Sequence, residues 1–438
     1  MKWRLASKAM LFSTTGMVKR ILNKHGDIVF LCLVIVCVVL ILFLLPRILS
    51  SHYFSTADEK AVSTTTAKKI IFIPSYVSTP EPVKGIYMTS WVAGTPSLRA
   101  GLVKLIDETE LNTLVIDIKD YSGKIVFPIE DNPKLKDHGS EEVRVKDLQD
   151  FIETLHKKQV YVIGRIAVFQ DEYFVKHRPD LAVKNKSGTA VWKDRKGISW
   201  IDPASREYWE YIILLTKESR KIGFDEINFD YIRFPSDGNM QDISFPHSST
   251  TSKAIVLKEF FQYLQHQLIL PMSDIGDIGD IGESRLKISA DLFGMTTTAV
   301  DDMGIGQLLE NTLPYFDYVM PMVYPSHYPP TFDGFKDPEA HPYEIVYFAM
   351  KSAVTRAEAL ASTTPVVDGD TVTTGQAGQS VVDYKNKLRP WLQDFGLKMD
   401  YGPAEVKAQI KATNDVGLSS WVLWSASNKY TQSALKAD

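Results

Sequence analysis

Apolar and polar residues alternate strictly in Glu226-Ile227-Asn228-Phe229-Asp230-Tyr231. A strand here sends Ile227, Phe229 and Tyr231 to one face and Glu226, Asn228 and Asp230 to the other. Asp230 stands at its C-terminal end, shortly before Pro235, and a polar inner face at that end is where a barrel enzyme keeps its chemistry. The alternative is a structural ion pair between Asp230 and Arg233.

Short runs rich in β-branched and aromatic residues predict strands at 85–91, 113–119, 160–166, 226–230, 287–291, 318–322, 388–393 and 420–424. Helical patterns fall between them, at 96–109, 147–158, 203–222, 252–269, 305–312, 343–360 and 403–415. Leu148, Phe151, Ile152 and Leu155 mark one helical face. Thr95-Pro96, Asp202-Pro203 and Pro403 read as helix starts. Eight repeated β-then-α units predict an α/β fold with a closed (β/α)8 barrel, and a doubly wound open sheet is the alternative.

The N-terminus follows a different pattern. Residues 28–45 are 18 consecutive apolar positions ended by Pro46, long enough to cross a bilayer core of ~30 Å as a helix. A secretory signal would be shorter and end in small residues, whereas Leu44-Leu45-Pro46-Arg47 offers no such cleavage site. Residues 1–27 carry Lys2, Arg4, Lys8, Lys19, Arg20 and Lys24, which puts the N-terminus in the cytoplasm and the rest outside the membrane. Residues 46–83 are rich in Ser, Thr and Ala and read as a flexible linker, with a short strand near 70–73, and the globular domain is expected at 84–438.

Charge and cysteine usage narrow the function. The chain has 49 basic and 53 acidic residues, of which six basic and one acidic precede residue 46, leaving the exported part near −9. That balance argues against nucleic-acid partners. Both cysteines, Cys32 and Cys37, lie in the apolar run, so the exported part has neither a disulfide framework nor a thiolate nucleophile. Two insertions interrupt the β/α rhythm: a threefold Asp-Ile-Gly repeat at 274–282, read as a solvated connection rather than a calcium loop, and a Thr/Gly/Val-rich stretch at 362–383, read as a β-hairpin excursion.

A barrel gathers its strand ends on one rim. The expected rim holds Asp117, Lys119 and Asp120 after the second strand and Arg165 on the third. It continues with Asp230, Arg233, Asp291, Tyr324, Trp391 and Trp424. Parity places Asp117 and Lys119 on the face opposite Ile116 and Ile118, with Lys119 contacting substrate or serving only as the counter-ion of Asp117. Asp230 and Asp291, on neighbouring strands ~4.8 Å apart, are the expected catalytic pair. Glycosidic cleavage needs one protonated carboxyl to donate to the leaving oxygen and one ionised carboxylate to attack the sugar or activate water. Asp117, Lys119, Asp120, Arg165, Arg233, Tyr324, Trp391 and Trp424 are expected to contact substrate. Trp91 is a further aromatic at the first strand's end, and Tyr231 is expected to support the site from behind. The nine histidines lack HxH or HExxH spacing, and neither a G-x-S-x-G elbow nor a phosphate loop occurs. No metal or cofactor is expected.

Five ordered stretches then carry a resemblance: Lys84-Gly85-Ile86-Tyr87-Met88-Thr89-Ser90, Leu114-Val115-Ile116-Asp117-Ile118-Lys119-Asp120, Asn228-Phe229-Asp230-Tyr231-Ile232-Arg233-Phe234-Pro235, Leu388-Arg389-Pro390-Trp391-Leu392-Gln393-Asp394-Phe395 and Trp424-Ser425-Ala426-Ser427-Asn428-Lys429-Tyr430. Together they resemble a bacterial "putative glycosyl hydrolase domain" family of unknown function over nearly all of 84–438. The resemblance implies a TIM barrel akin to established glycoside hydrolases, with Asp230 as a catalytic residue. The resulting expectation is a membrane-anchored, extracytoplasmic glycoside hydrolase acting on a cell-surface or matrix polysaccharide. The competing expectations are a non-catalytic carbohydrate-binding barrel that tethers envelope polymer and a structural protein that docks partners.

Overall fold

The computed structural model describes residues 72–269, 285–363, 365–368, 371–374 and 383–437. The apolar run 28–45 and the Asp-Ile-Gly repeat lie outside the described residues, as does most of 46–83. Among the described residues, no helix is long and apolar enough to cross a membrane.

Eight parallel strands close into a barrel: β1 (Lys84–Met88), β2 (Thr113–Lys119), β3 (Tyr161–Ala167), β4 (Glu226–Asp230), β5 (Lys287–Phe293), β6 (Tyr318–Met322), β9 (Trp391–Gln393) and β10 (Trp421–Trp424). Around the barrel the order is β1-β10-β9-β6-β5-β4-β3-β2, so the open sheet is excluded. The remaining two strands, β7 (Pro365–Asp368) and β8 (Thr371–Thr374), form the antiparallel hairpin anticipated in the second insertion. The thinnest seam joins β6 to β9, which pair in register only at Met322 and Trp391, with a single bridge from Val319 to Leu388. Prolines at 321 and 390 remove ladder donors there.

Most helices fall where the apolar stripes place them, although the one expected at 305–312 is reduced to Leu309–Thr312. Leu148, Phe151, Ile152 and Leu155 all turn inward from the helix Leu148–His156. Pro96 and Pro403 each open a helix, and the Glu405 carboxylate accepts from the Gly402 N–H at 2.8 Å. Pro203 does not: its helix starts at Arg206, because the Asp202 carboxylate accepts from Ala204 N and from the His247 and Ser248 backbone and so holds a turn.

The barrel interior is filled in layers, as such barrels require. At the floor Tyr161, Glu226 and Arg389 meet, with Arg389 Nη1 donating to both Glu226 oxygens at 3.0 and 3.2 Å and Tyr161 Oη donating to Oε2 at 3.0 Å. Apolar residues fill the interior, among them Val115, Ile163, Met320 and Val422. The short strand expected near 70–73 is not seen at Phe72 and Ile73, the two of those residues that are described. Instead, residues 75–83 are laced across the floor. Tyr76 Oη donates to Arg220 O, Val77 N to Asp225, Thr79 Oγ1 to Tyr161 Oη and Val83 N to Ser420 Oγ, at 2.8–3.2 Å.

Candidate active site

The polar face of β4 climbs through the barrel one layer at a time. Glu226 is spent on the floor ion pair. Asn228, one layer up, donates to Ser289 Oγ at 3.1 Å and to Asp291 Oδ1 at 2.8 Å. Asp230 reaches the rim. The chain then turns sharply: Tyr231 adopts φ 53°, a left-handed conformation that a bulky residue takes only under constraint. Its N–H thereby points back to Asp230 Oδ1 at 2.5 Å, while its ring packs edge-on against Trp200.

Arg165 of β3 is the hub of the rim. Its Nη1 donates to Asp117 Oδ1 at 2.7 Å, its Nη2 to Asp230 Oδ2, and its Nε lies 3.8 Å from Asp291 Oδ2. That last separation is too long for a hydrogen bond, and Nε has no other partner. Because Nε and Nη2 form one edge of the guanidinium, Asp230 and Asp291 sit inside the ~9.5 Å upper limit for a carboxylate pair flanking a glycosidic bond.

Burial sets the electrostatics. Asp291 is 1 % exposed, and burial pushes its carboxyl well above the usual range; the charge of Asp230 pushes it further, against the opposing pull of Arg165, Asn228 and the Trp391 N–H. Burial also raises Asp117, although Arg165 and the Tyr87 hydroxyl, donating at 2.5 Å, oppose it. For Arg165 itself burial would lower the pKa, but the charges of Asp230 and Asp117 outweigh it and drive it well up. Charge therefore concentrates on Arg165, while Asp291 is the acid that keeps its proton most tightly.

The expected binding residues divide. Asp117 and Arg165 stand in the cluster. Asp120 lies in the loop above, where it accepts from Ser122 and from Arg144 Nη1 at 2.6 Å. Tyr324 is buried against Phe395, and Trp424 stacks on Tyr87 with ring centroids 3.9 Å apart. Trp391 does not offer a face to a sugar. It is 1 % exposed, and its Nε1 donates to Asp291 Oδ1 at 2.7 Å, so it positions a carboxyl. Trp91 is 62 % exposed and carries Arg144 over its ring. Arg233 lies over Trp200 rather than pairing with Asp230.

Lys119 is the clearest departure from the parity expectation. Between Asp117 and Lys119 the register with β3 slips, so Lys119 pairs with Ile166 rather than with the residue after it. This bulge turns Lys119 outward with Ile118. Its ammonium is fully buried, donating to Asp171 at 2.8 Å and to Tyr208 Oη at 3.1 Å rather than to Asp117.

Tyr87, Asn228 and Tyr430 were not singled out as site residues by sequence reasoning. The signal for Tyr87 was present: it lies on β1 with inward parity, two residues from the rim. The stretch after β10 proves to be its clasp. Tyr430 Oη donates to Tyr87 O and accepts from Tyr87 N, and Asn428 Nδ2 donates to Tyr87 O. The loops after β9 and β10 also line an open cavity of about 520 Å3, formed by Asp394, Phe395, Tyr401, Ser427 and Lys429 among others. Among the described residues no cluster of His, Cys, Asp and Glu is arranged to hold a metal.

Comparison with solved structures bears on the fold. A glycoside hydrolase domain of PgaB (BpsB) from Bordetella bronchiseptica aligns with a TM-score of 0.54 at 12% identity, covering 78% of this chain and 94% of that one. A hypothetical protein from Ruminiclostridium thermocellum is 30% identical over 46% of this chain and 96% of its own, with a TM-score of 0.39. A class V chitinase from Pseudomonas fluorescens aligns at 12% identity and a TM-score of 0.42 over 81% of this chain and 98% of its own. A comparison with curated protein sequences returned no match. The model of one family, described as "Putative glycosyl hydrolase domain", matches residues 85–430, and the chain belongs to that family.

Proposed function

We propose that this protein is a membrane-anchored, extracytoplasmic glycoside hydrolase that cleaves a cell-surface or matrix polysaccharide with two carboxyl groups. The observation that carries the reading is the Asp230–Arg165–Asp291 constellation, with two acids of unlike environment on adjacent strand ends. Asp291, buried and held high in pKa, is the proton donor to the leaving oxygen. Asp230, at the rim and bound by a guanidinium and a backbone N–H, is the ionised partner that attacks the sugar carbon or activates water. Trp424 supplies an aromatic face, and the cavity over β9 and β10 takes sugars on the far side of the barrel mouth from β3 and β4. The apolar run 28–45 is the anchor, and the basic residues before it fix its orientation.

A carbohydrate-binding barrel without turnover is the second reading, and one observation favours it: Arg165 closes on the acids, and Asp291 is almost entirely covered. The deciding experiment measures new reducing ends released by the full-length protein from a panel of envelope and matrix polysaccharides. Asp230→Asn and Asp291→Asn are run beside it after their folding is checked. Release that drops at least ~10²-fold in both variants supports hydrolysis by this pair. Wild-type release by either variant, or binding without release by the native protein, overturns it.

A further inference from the structure

Around Trp200, in the connection from β3 to β4 and just past Asp230, stand four cations without a carboxylate of their own. Between β3 and β4 the chain makes an excursion tied by antiparallel bridges at Lys184–Val191, Lys193–Ser199, Ala182–Ile201 and Gln170–Trp200. Its tip exposes Lys193, Arg195 and Lys196. The acid among them, Asp194, is buried and committed to the shape of the turn. One oxygen accepts from the backbone N–H groups of Lys196 and Ile198, both at 2.9 Å, and the other from Trp200 Nε1 and Gln170 Nε2, both at 3.0 Å. On the Trp200 ring lies the guanidinium of Arg233, 4.9 Å from its centroid. Arg233 Nη1 donates to Phe234 O and Ser236 Oγ. Asp230, Asp237 and Asp194 reach Arg233 only at longer range, and burial lowers its pKa despite them. Among the described residues none of these four cations lies within ion-pair distance of a carboxylate.

The portion after residue 45, with a net formal charge near −9, disfavours a polyanion in general, so a local cluster of unpaired cations stands out. Four unpaired cations around Trp200, one of them an Arg fork stacked on its ring and within electrostatic reach of Asp230, are a receptor for anionic oxygens. We propose that the β3–β4 rim is a subsite for an acidic glycan, in which Arg233 grips a carboxylate or phosphate on a sugar next to the scissile bond and Lys193, Arg195 and Lys196 steer the polymer in. The inference rests on the hydrolase reading for the bond cleaved, but the binding it asserts is measured separately.

The test is calorimetric titration of the full-length protein with oligogalacturonates, phosphomannan oligomers and neutral chito-oligosaccharides at low and high salt. It is repeated with Lys193→Ser/Arg195→Ser/Lys196→Ser, with Arg233→Gln and with the single reversal Arg195→Glu. An exposed cation accounts for a factor of up to about five, so the triple variant is expected to weaken an acidic oligomer about tenfold or more and to leave neutral ones unchanged. High salt reproduces the loss in the native protein. Loss confined to the uronate or to the phosphate oligomer identifies the anion. Equal acidic-glycan affinity in the native and triple-variant proteins overturns the inference, as does preference for the neutral oligomer. Asp230-dependent cleavage of neutral glycan alone overturns the subsite and keeps the hydrolase; cation-dependent binding without any cleavage keeps the subsite and removes the hydrolase.

Discussion

Arg165→Met isolates what holds the rim together. The substitution keeps much of the side-chain volume and removes a guanidinium that donates to Asp117 at 2.7 Å, also bonds Asp230, and faces Asp291 at 3.8 Å. Breaking a buried ion pair by removing one partner costs about 3–5 kcal/mol. Unfolding residues 72–437 releases an entropy of roughly 0.8 kcal/mol/K, at ~2.1 cal/mol/K per residue, so the melting temperature should fall by about 4–6 °C at pH 7.5. The sign of the pH dependence follows from the acids. Asp117 and Asp291 already have raised folded-state pKa values, and losing Arg165 raises them further. Their folded forms then hold protons that the unfolded chain releases near pH 4, so the stability they contribute is present at low pH and is lost as pH rises through the folded-state values. The variant's deficit should therefore shrink toward the ~1–3 kcal/mol of a lost buried donor at pH 4.5. Thermal melts of both proteins at the two pH values measure this. A deficit that is the same at both, or absent at pH 7.5, refutes the account of Arg165 as the counter-charge of the rim.

Other consequences are as specific. Trp424→Ala should raise KM for a glycan by roughly 2- to 12-fold, the worth of an aromatic contact, with kcat little changed, and a kcat loss without a KM change would contradict a stacking role. The alkaline limb of kcat/KM should report loss of the Asp291 proton, so activity falls as pH rises through that group's raised pKa. Removing the Asp230 charge by Asp230→Asn should lower the Asp291 pKa, read by carboxyl infrared titration, and an unmoved titration would disprove the coupling. Lys119→Met should destabilise by about 3–5 kcal/mol in urea melts while leaving KM unchanged, because its ammonium serves buried Asp171; a KM effect at native stability would return Lys119 to the site.

The barrel was legible because its signals repeat. Eight short strands with helical stripes such as 148–155 between them leave few other architectures, and the alternation along β4 showed which face looks inward. The acid pair was legible for the same reason, since parity sends Asp230 and Asp291 to neighbouring strand ends. Lys119 was misplaced because a single extra residue in β2 reverses parity beyond it, and a bulge leaves no mark in composition. Trp391 was read as a platform because sequence gives the type of a ring but not which way its N–H points. The role of the turn at 193–196 carries no sequence signal, since only the folded chain shows Asp194 turned inward and the cations left unmatched.

The lacing of residues 75–83 over the barrel floor also fixes how the molecule bears load. The strands point their C-terminal ends, and with them the acids, away from the face where this segment runs. Tension applied through the chain upstream of Ser75 would meet bonds to Arg220, Asp225, Tyr161 and Ser420 one after another before reaching any strand. In a domain pulled from that side the barrel mouth faces away from the pull, and the first parts to yield are the stitches of the floor rather than the acid-bearing rim.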